Sequence, residues 1–322
     1  MLDILIKNGT VVDGSGEDRY QADVAVRDGK IQKIGNIGGE NAKIIVEAEG
    51  KFVTPGFIDV NNHSDTHWQL FAEPELRSLA HQGITTIVGG NCGASLAPLV
   101  GDHAIDSIRK WVDIRKVNVD WSSVSEFFFH LEETGLAVNF ATLAGHSTIR
   151  RALTGDEHRP LSEEELAISE KILSEAFDDG AFGLSFGLMY THARATTNKE
   201  MRSLARVVRL LDGILTVHLR NEGESILSSL EEVINIAKEE GVRLHISHLK
   251  VLGEVYWESF PKVVEMIEKA VEDGADISFD VFPYTSSAPV LYTFLPDWVS
   301  EGGRHMMLGR LRDTDDRRNI IK

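Results

Sequence analysis

Apolar and polar positions follow two different rhythms along this chain. Over the first 54 residues the apolar runs are short and punctuated by turn dipeptides. Leu2–Ile6 and Thr10–Val12 flank Asn8-Gly9, and Asp23–Arg27 and Lys30–Ile34 flank Asp28-Gly29. Asn-Gly and Asp-Gly between apolar runs are hairpin signals, because both central residues of a tight type I′ turn need positive φ. Residues 1–54 are therefore expected to form a β-strand unit, part of a small β-sandwich.

From Gly56 onward, short β-branched runs alternate with amphipathic stretches. The predicted strands are 56–63, 84–92, 139–147, 181–188, 214–220, 243–250 and 276–284. Helical stretches lie between them. Over 224–238, Ile226, Leu230, Val233, Ile234 and Ala237 fall on one stripe. Ser162-x-x-Glu165 opens the 161–177 helix with a capping box. Regular alternation of this kind predicts a parallel sheet wrapped by helices, a (β/α)8 TIM-type barrel over residues 55–322. Seven strands are present and the eighth is missing. The tail after Tyr284 contains Leu295-Pro296-Asp297-Trp298 and a charged run from Arg310 to Arg318, so the chain is expected to be a piece of a longer protein, because an open barrel leaves backbone groups unpaired.

Composition narrows the function classes. The 322 residues are 42% hydrophobic and 26% charged, with a net charge of -17. Such a surface repels nucleic acid and anionic membranes. No apolar run reaches the ~18 residues that a spanning helix needs. One cysteine permits no intrachain disulfide, and no signal peptide is evident. A reducing cytoplasm is the simplest expectation.

Active sites of parallel barrels form at the C-terminal ends of the strands. There the predicted strands end in Asn61 and His63, in Gly90-Asn91-Cys92-Gly93, in His146, in His218, in His248 with Lys250, and in Asp280 with Tyr284. Asp59, Asn61, His63 and Asp65 share one face of the first strand by alternation. A thiolate with two imidazoles suits zinc, which is borderline-soft and takes S and N ligands tetrahedrally. A fourth position left to water makes such a site catalytic. The same alternation places His245 out of phase with His248, facing the helices.

These motifs resemble the D-aminoacylase (N-acyl-D-amino-acid deacylase) family of the amidohydrolase superfamily. The resemblance runs from Ile4 to about Trp298. It is carried by Val53-Thr54-Pro55-Gly56-Phe57-Ile58-Asp59, by Gln82 to Val88 leading into Gly90-Asn91-Cys92-Gly93, by Gly145-His146-Ser147, by His218-Leu219-Arg220-Asn221-Glu222, by Ser247-His248-Leu249-Lys250 and by Phe282-Pro283-Tyr284. The Asn-Cys-Gly turn is the most specific of these, since most relatives bridge with a carboxylated lysine.

The resemblance implies a zinc held tightly by Cys92, His218 and His248. It implies a second, weaker metal position at the first strand, where the family's His-x-His pair here reads Asn61 and His63. The family base is an aspartate on strand eight, which would lie beyond Lys322. By analogy Tyr190, Lys250 and Tyr284 would contact a small-molecule N-acylated amino acid. Where the family reads Tyr-Pro-Pro, this chain has Tyr190-Thr191-His192. The implied reaction is zinc-dependent hydrolysis of an N-acyl-D-amino acid by activated water. The alternatives are hydrolysis of a cyclic amide, as in dihydropyrimidinases or dihydroorotases, and an inactive, truncated, metal-binding relative.

Overall fold

The computed structural model describes every residue except 40, 288 and 322, and of residue 297 the backbone alone. The chain divides into two compact units, Met1–Phe57 and Ile58–Lys322.

The first unit is one five-stranded sheet. Its strands are β1 (Leu2–Val11), β2 (Tyr20–Arg27), β3 (Lys30–Gly35), β4 (Ala42–Glu47) and β5 (Phe52–Val53), in the order β3-β2-β1-β4 with β5 also on β1. Leu2, Leu5, Ala25 and Ile37 form its core. Asp28 and Gly29 turn β2 into β3 with φ of 52° and 70°, the conformation their hairpin signal demands. Asn8-Gly9 is different. Both residues lie inside β1, where Asn8 (φ 60°) introduces a register shift against β2 and the strand then continues. The Asn8 N–H donates to Asp23 Oδ1 at 2.9 Å, so the irregularity is satisfied by a side chain and no hairpin forms.

Among the described residues the barrel part has seven staves, parallel wherever their register is defined. They are β6 (Phe57–Asp59), β7 (Ile84–Gly89), β8 (Asn139–Thr142) continued as β9 (Ala144–Gly145), β10 (Gly183–Gly187), β11 (Ile214–His218), β12 (Arg243–Ile246) and β13 (Ile277–Phe279). Hydrogen bonds join them as β6-β7-β8 and β9-β10-β11-β12-β13, strictly in sequence order. Helices return the chain between strands, among them Glu163–Asp178, Asn198–Leu210, Ile226–Glu240 and Phe260–Glu272. Ser162 caps the first of these and Glu165 closes the capping box. Leu184, Phe186, Leu215, Val217, Leu244 and Ile246 on the strands are buried with Leu204, Leu230, Val233 and Ile267 on the helices. Burial of this apolar layer is the main stabilising term for such a fold.

Several strands are shorter than the apolar runs that predict them. The third is broken at Leu143, and His146 opens the helix His146–Thr154 instead of ending a strand. Among the described residues no strand follows β13. The segment beyond it forms the helices Asp297–Ser300, Gly303–Arg312 and Thr314–Ile321. No described helix is long and apolar enough to cross a membrane.

Candidate metal centre

The turn after β7 is built so that one thiol faces the mouth of the sheet. Gly90 has φ 75°, and a Cβ there would sit 2.0 Å from the Leu143 carbonyl oxygen. A Cβ on Gly187 would lie 2.1 Å from the Cys92 carbonyl oxygen. Only glycine permits these approaches. The Gly90 N–H donates to Asp65 Oδ2 at 2.7 Å, and the Gly93 N–H donates to Ser185 Oγ at 3.0 Å. Asp65 and Ser185 are fully buried. Cys92 itself takes positive φ (53°) and is buried. The turn is thus pinned on both sides before any ligand is considered.

Two histidines close on that thiol. His218 ends β11, and His248 follows β12 with φ 39°. Cys92 Sγ lies 3.5 Å from His248 Nε2, which is 3.0 Å from His218 Nδ1. The two rings meet edge to face at 85°. One donor atom from each of Cys92, His218 and His248 lies within 4.8 Å of the others. His218 turns its Nδ1 to the cluster and its buried Nε2 toward Glu222 Oε1, 3.7 Å away. A thiol and two imidazoles gathered this closely fit a zinc-type cation.

Electrostatics point the same way. Burial would push the Cys92 thiol up, but the charge of His248 and hydrogen bonds from His218, His248 and His63 bring it well below its ordinary value. Burial would push His248 down, yet Cys92 and Glu222 hold it up at about 10. The cluster therefore favours a thiolate, the form that binds metal.

Glu222 is the residue that sequence reasoning missed. It is buried, with Oε1 3.0 Å from His248 Nδ1 and Oε2 2.6 Å from Lys250 Nζ. Burial would raise its carboxyl, but the charges of His218, His248 and Lys250 hold it at about 2. A carboxylate behind a ligating imidazole fixes ring orientation and tautomer. Its signals in the sequence are its spacing of four from His218 and its place in the motif His218-Leu219-Arg220-Asn221-Glu222.

The other expected site residues separate. His63 reaches the Cys92 side and packs against Trp111, with ring centroids 5.4 Å apart. Asn61 does not join the cluster. Its Nδ2 donates to Asp280 at 3.2 Å, and its Oδ1 is buried without a partner. Tyr190 is buried with its ring 5.2 Å from that of His218. Lys250 is committed to Glu222. Tyr284 is 75% exposed and touches none of these groups among the described contacts.

His245 contradicts its expected orientation. It pairs with Thr216 across β11 and β12, and its ring bonds Ser278 Oγ and Asp280 Oδ2 at 2.8 and 2.9 Å. It therefore faces the sheet interior with Asp280. The positive φ at His248 breaks the strand alternation, so counting by twos back from His248 gives the wrong face. His146 is also absent from the mouth. Its Nε2 bonds Glu200 at 2.7 Å, and Arg150 clamps the same carboxylate at 2.8 Å. The aspartate base expected after Lys322 lies outside the described residues.

A parallel strand-and-helix unit with a thiol and two imidazoles converging at the C-terminal strand ends defines a candidate metal-dependent hydrolase scaffold. The amidohydrolase family model Amidohydro_3 matches residues 45–315, and the chain belongs to that family. It is 35% identical over 294 residues to D-aminoacylase of Alcaligenes xylosoxydans xylosoxydans, covering 90% of this chain and 59% of the relative. It is 32% identical to N-acyl-D-glutamate deacylase of the same organism, covering 93% of this chain and 60% of that one. A crystal structure of N-acyl-D-glutamate deacylase from Bordetella bronchiseptica, complexed with zinc and a phosphonate mimic of the tetrahedral intermediate, superposes with a TM-score of 0.81 at 33% identity. That match covers 88% of this chain and 59% of the other. The chain thus spans about three fifths of the length of these relatives.

Proposed function

We propose that this chain is the metal-holding part of a zinc-dependent hydrolase that cleaves N-acyl-D-amino acids to a D-amino acid and a carboxylate. The observation that carries the proposal is the convergence of Cys92, His218 and His248 within 4.8 Å at the strand ends. The deacylases among the relatives, at 32–35% identity, supply the substrate class.

In this reading Cys92, His218 and His248 hold one zinc. Bound there, zinc supplies a Lewis acid that polarises the acyl carbonyl and acidifies water. The remaining steps belong to the chain's own groups. Glu222 holds His248 by its Nδ1 and keeps that ring from rotating. Lys250, paired with Glu222, lies at the mouth and can share its ammonium with a substrate carboxylate. Tyr190 packs on His218 and walls one side of the site. His63 approaches Cys92 and shares the Trp111 ring with Tyr190; with Asn61 turned to Asp280, a second metal position there is weak. By the resemblance, the general base would be an aspartate on an eighth strand, which the described residues do not include. By the resemblance Tyr284, exposed after β13, would contact substrate. The 1–54 region would be part of a small sandwich, and the setting would be cytoplasmic.

A second reading, an inactive metal-binding relative, is favoured by Asn61 and by the lack of a strand after β13 among the described residues. Cyclic-amide hydrolysis is disfavoured by the Asn-Cys-Gly turn. The test is amine release from a panel of N-acetyl-D-amino acids, with and without chelator, by protein carrying the downstream sequence. Chelator-sensitive release from D- but not L-substrates is expected. Zinc-replete protein that releases no amine from any of them overturns the substrate class.

A further inference from the structure

A cavity of about 160 Å³ opens beside the turn Thr191–Ala193. The chain as a whole is acidic, at a net charge of -17, but this cavity is not. Arg109, Lys110, Arg151 and Arg304 line it against two carboxylates, Asp106 and Asp156, a local excess of two positive charges. Both carboxylates are already paired, Asp106 with Arg109 at 2.5 Å and Asp156 with Arg151. Lys110, half-buried, donates to the Ser107 carbonyl. Its ammonium lies on the rings of Trp111 and Tyr190, 3.8 and 4.6 Å from their centroids, and pairs with no carboxylate among the described residues.

Two buried donors in this wall have nothing to bond. His192 is 3% exposed. Burial, then the charges of Arg151 and Lys110, push its ring well below its ordinary value, so it is neutral. Arg151 Nη2 lies 3.4 Å from His192 Nδ1. A guanidinium only donates, so Nδ1 is the acceptor and Nε2 carries the proton. That Nε2–H is buried and meets no acceptor among the described residues. Arg151 Nε–H is buried and unpartnered in the same way. Buried donors are costly to leave unmade, so two in one wall mark the place of an acceptor. Where the resembling family reads Tyr-Pro-Pro, this chain has Tyr190-Thr191-His192, so the ring donor is its own.

The acceptor can be typed by charge and shape. A flat carboxylate offers two oxygens and one charge. A phosphate group offers at least three oxygens and carries about two negative charges near neutral pH, which matches donors on several sides and the local excess. We propose that Arg151 and His192, with Lys110 and Arg304 around them, form a binding site for a tetrahedral oxyanion, either inorganic phosphate or the phosphate group of a small ester. None of Cys92, His218 and His248 lines this cavity. The anion would join Arg151 on the helix His146–Thr154 to His192 in the turn that follows Tyr190. Tyr190 packs on His218, so occupancy steadies one wall of the metal centre from outside it. Neither the site nor its test depends on hydrolysis.

The experiment is calorimetric titration of the full chain, stripped of metal, with sodium phosphate near neutral pH. Saturable binding with a Kd of about 1 mM or tighter is expected. Acetate should bind at least about tenfold more weakly. Arg151→Met and His192→Phe, each confirmed folded by circular dichroism, should weaken phosphate about tenfold, the scale of one charge-assisted hydrogen bond. Asp156→Asn releases Arg151 from its carboxylate and should tighten phosphate several-fold, a gain that no unfolding can imitate. Cys92→Ala should bind phosphate as the wild type does. Phenyl phosphate separates the two sources: affinity equal to that of phosphate assigns an ester, and a large loss assigns the free ion. The site is overturned by the absence of saturable binding, by acetate binding as tightly as phosphate, or by unchanged affinity in both Arg151→Met and His192→Phe. Loss of binding in Cys92→Ala, or no gain in Asp156→Asn, overturns it equally.

Discussion

Strands β10 to β12 and the outer staves β6 and β13 place similar residues in opposite settings. Each of β10 to β12 has a neighbour on both sides, and their apolar residues are buried. His218 and His248 follow from this rigid core, and the Cys92 turn is pinned to it through Ser185. By contrast β6 and β13 each have one neighbour, and Ile58, Phe279 and Val281 are exposed. Asn61 and Asp280 stand there and bond to one another. The lesson is that the three-donor set belongs to the paired, buried part of the sheet. Asn61, which taken alone suggests a damaged metal site, belongs to its open part.

The largest break of this contrast is Gly90→Ala. The added Cβ meets the Leu143 carbonyl at 2.0 Å in a left-handed backbone, so the turn must shift. A loss of about 3 kcal/mol is expected from overpacking and positive φ together. Urea unfolding measures it; an unchanged midpoint would contradict the account of the turn.

Glu222→Gln comes next. Removing the carboxylate behind His248 should weaken zinc binding by about 10- to 100-fold, read by competition with a chromophoric chelator. The same residue gives a pH signature in metal-free protein. Its folded pKa, about 2, is depressed, so its contribution is full above the unfolded value near 4.3 and is lost as pH falls toward 2. The wild type should therefore lose more stability than Glu222→Gln between about pH 4.5 and 2. Parallel curves would show that Glu222 carries no linked charge.

Asn61→Ala should be the mildest, costing roughly 1 kcal/mol or less for a half-buried hydrogen bond, and leaving zinc content unchanged. Loss of zinc in this variant would move Asn61 into the principal site.

Much of the site was legible because strand ends announce themselves. An apolar run closing in His218, another leading to His248, and Cys92 in a glycine-bracketed turn are nominated by the rule that parallel sheets act at their C-terminal ends. The same rule also nominates His146, which the structure places elsewhere. What was illegible depends on backbone or on loops. His245 was placed on the wrong face because alternation fails at the left-handed His248. Asn8-Gly9 carries the dipeptide of a turn but is absorbed as an irregularity within β1, where Asp23 satisfies its N–H. Glu222 sits in the loop after β11, where no periodicity marks it. Lys110 lies in the irregular stretch after β7, and only tertiary packing sets it over Tyr190. Lys250 carries no such ambiguity of position, but its pairing with Glu222 is a tertiary fact.

The central claim is that Cys92, His218 and His248 hold one zinc independently of Asn61. Elemental analysis of purified wild type, Cys92→Ala and Asn61→Ala, each confirmed folded by circular dichroism, tests it directly. The account predicts about one zinc per chain in the wild type and in Asn61→Ala, and none retained through dialysis in Cys92→Ala. Folded wild-type protein that binds no zinc, or full occupancy in Cys92→Ala, would contradict it.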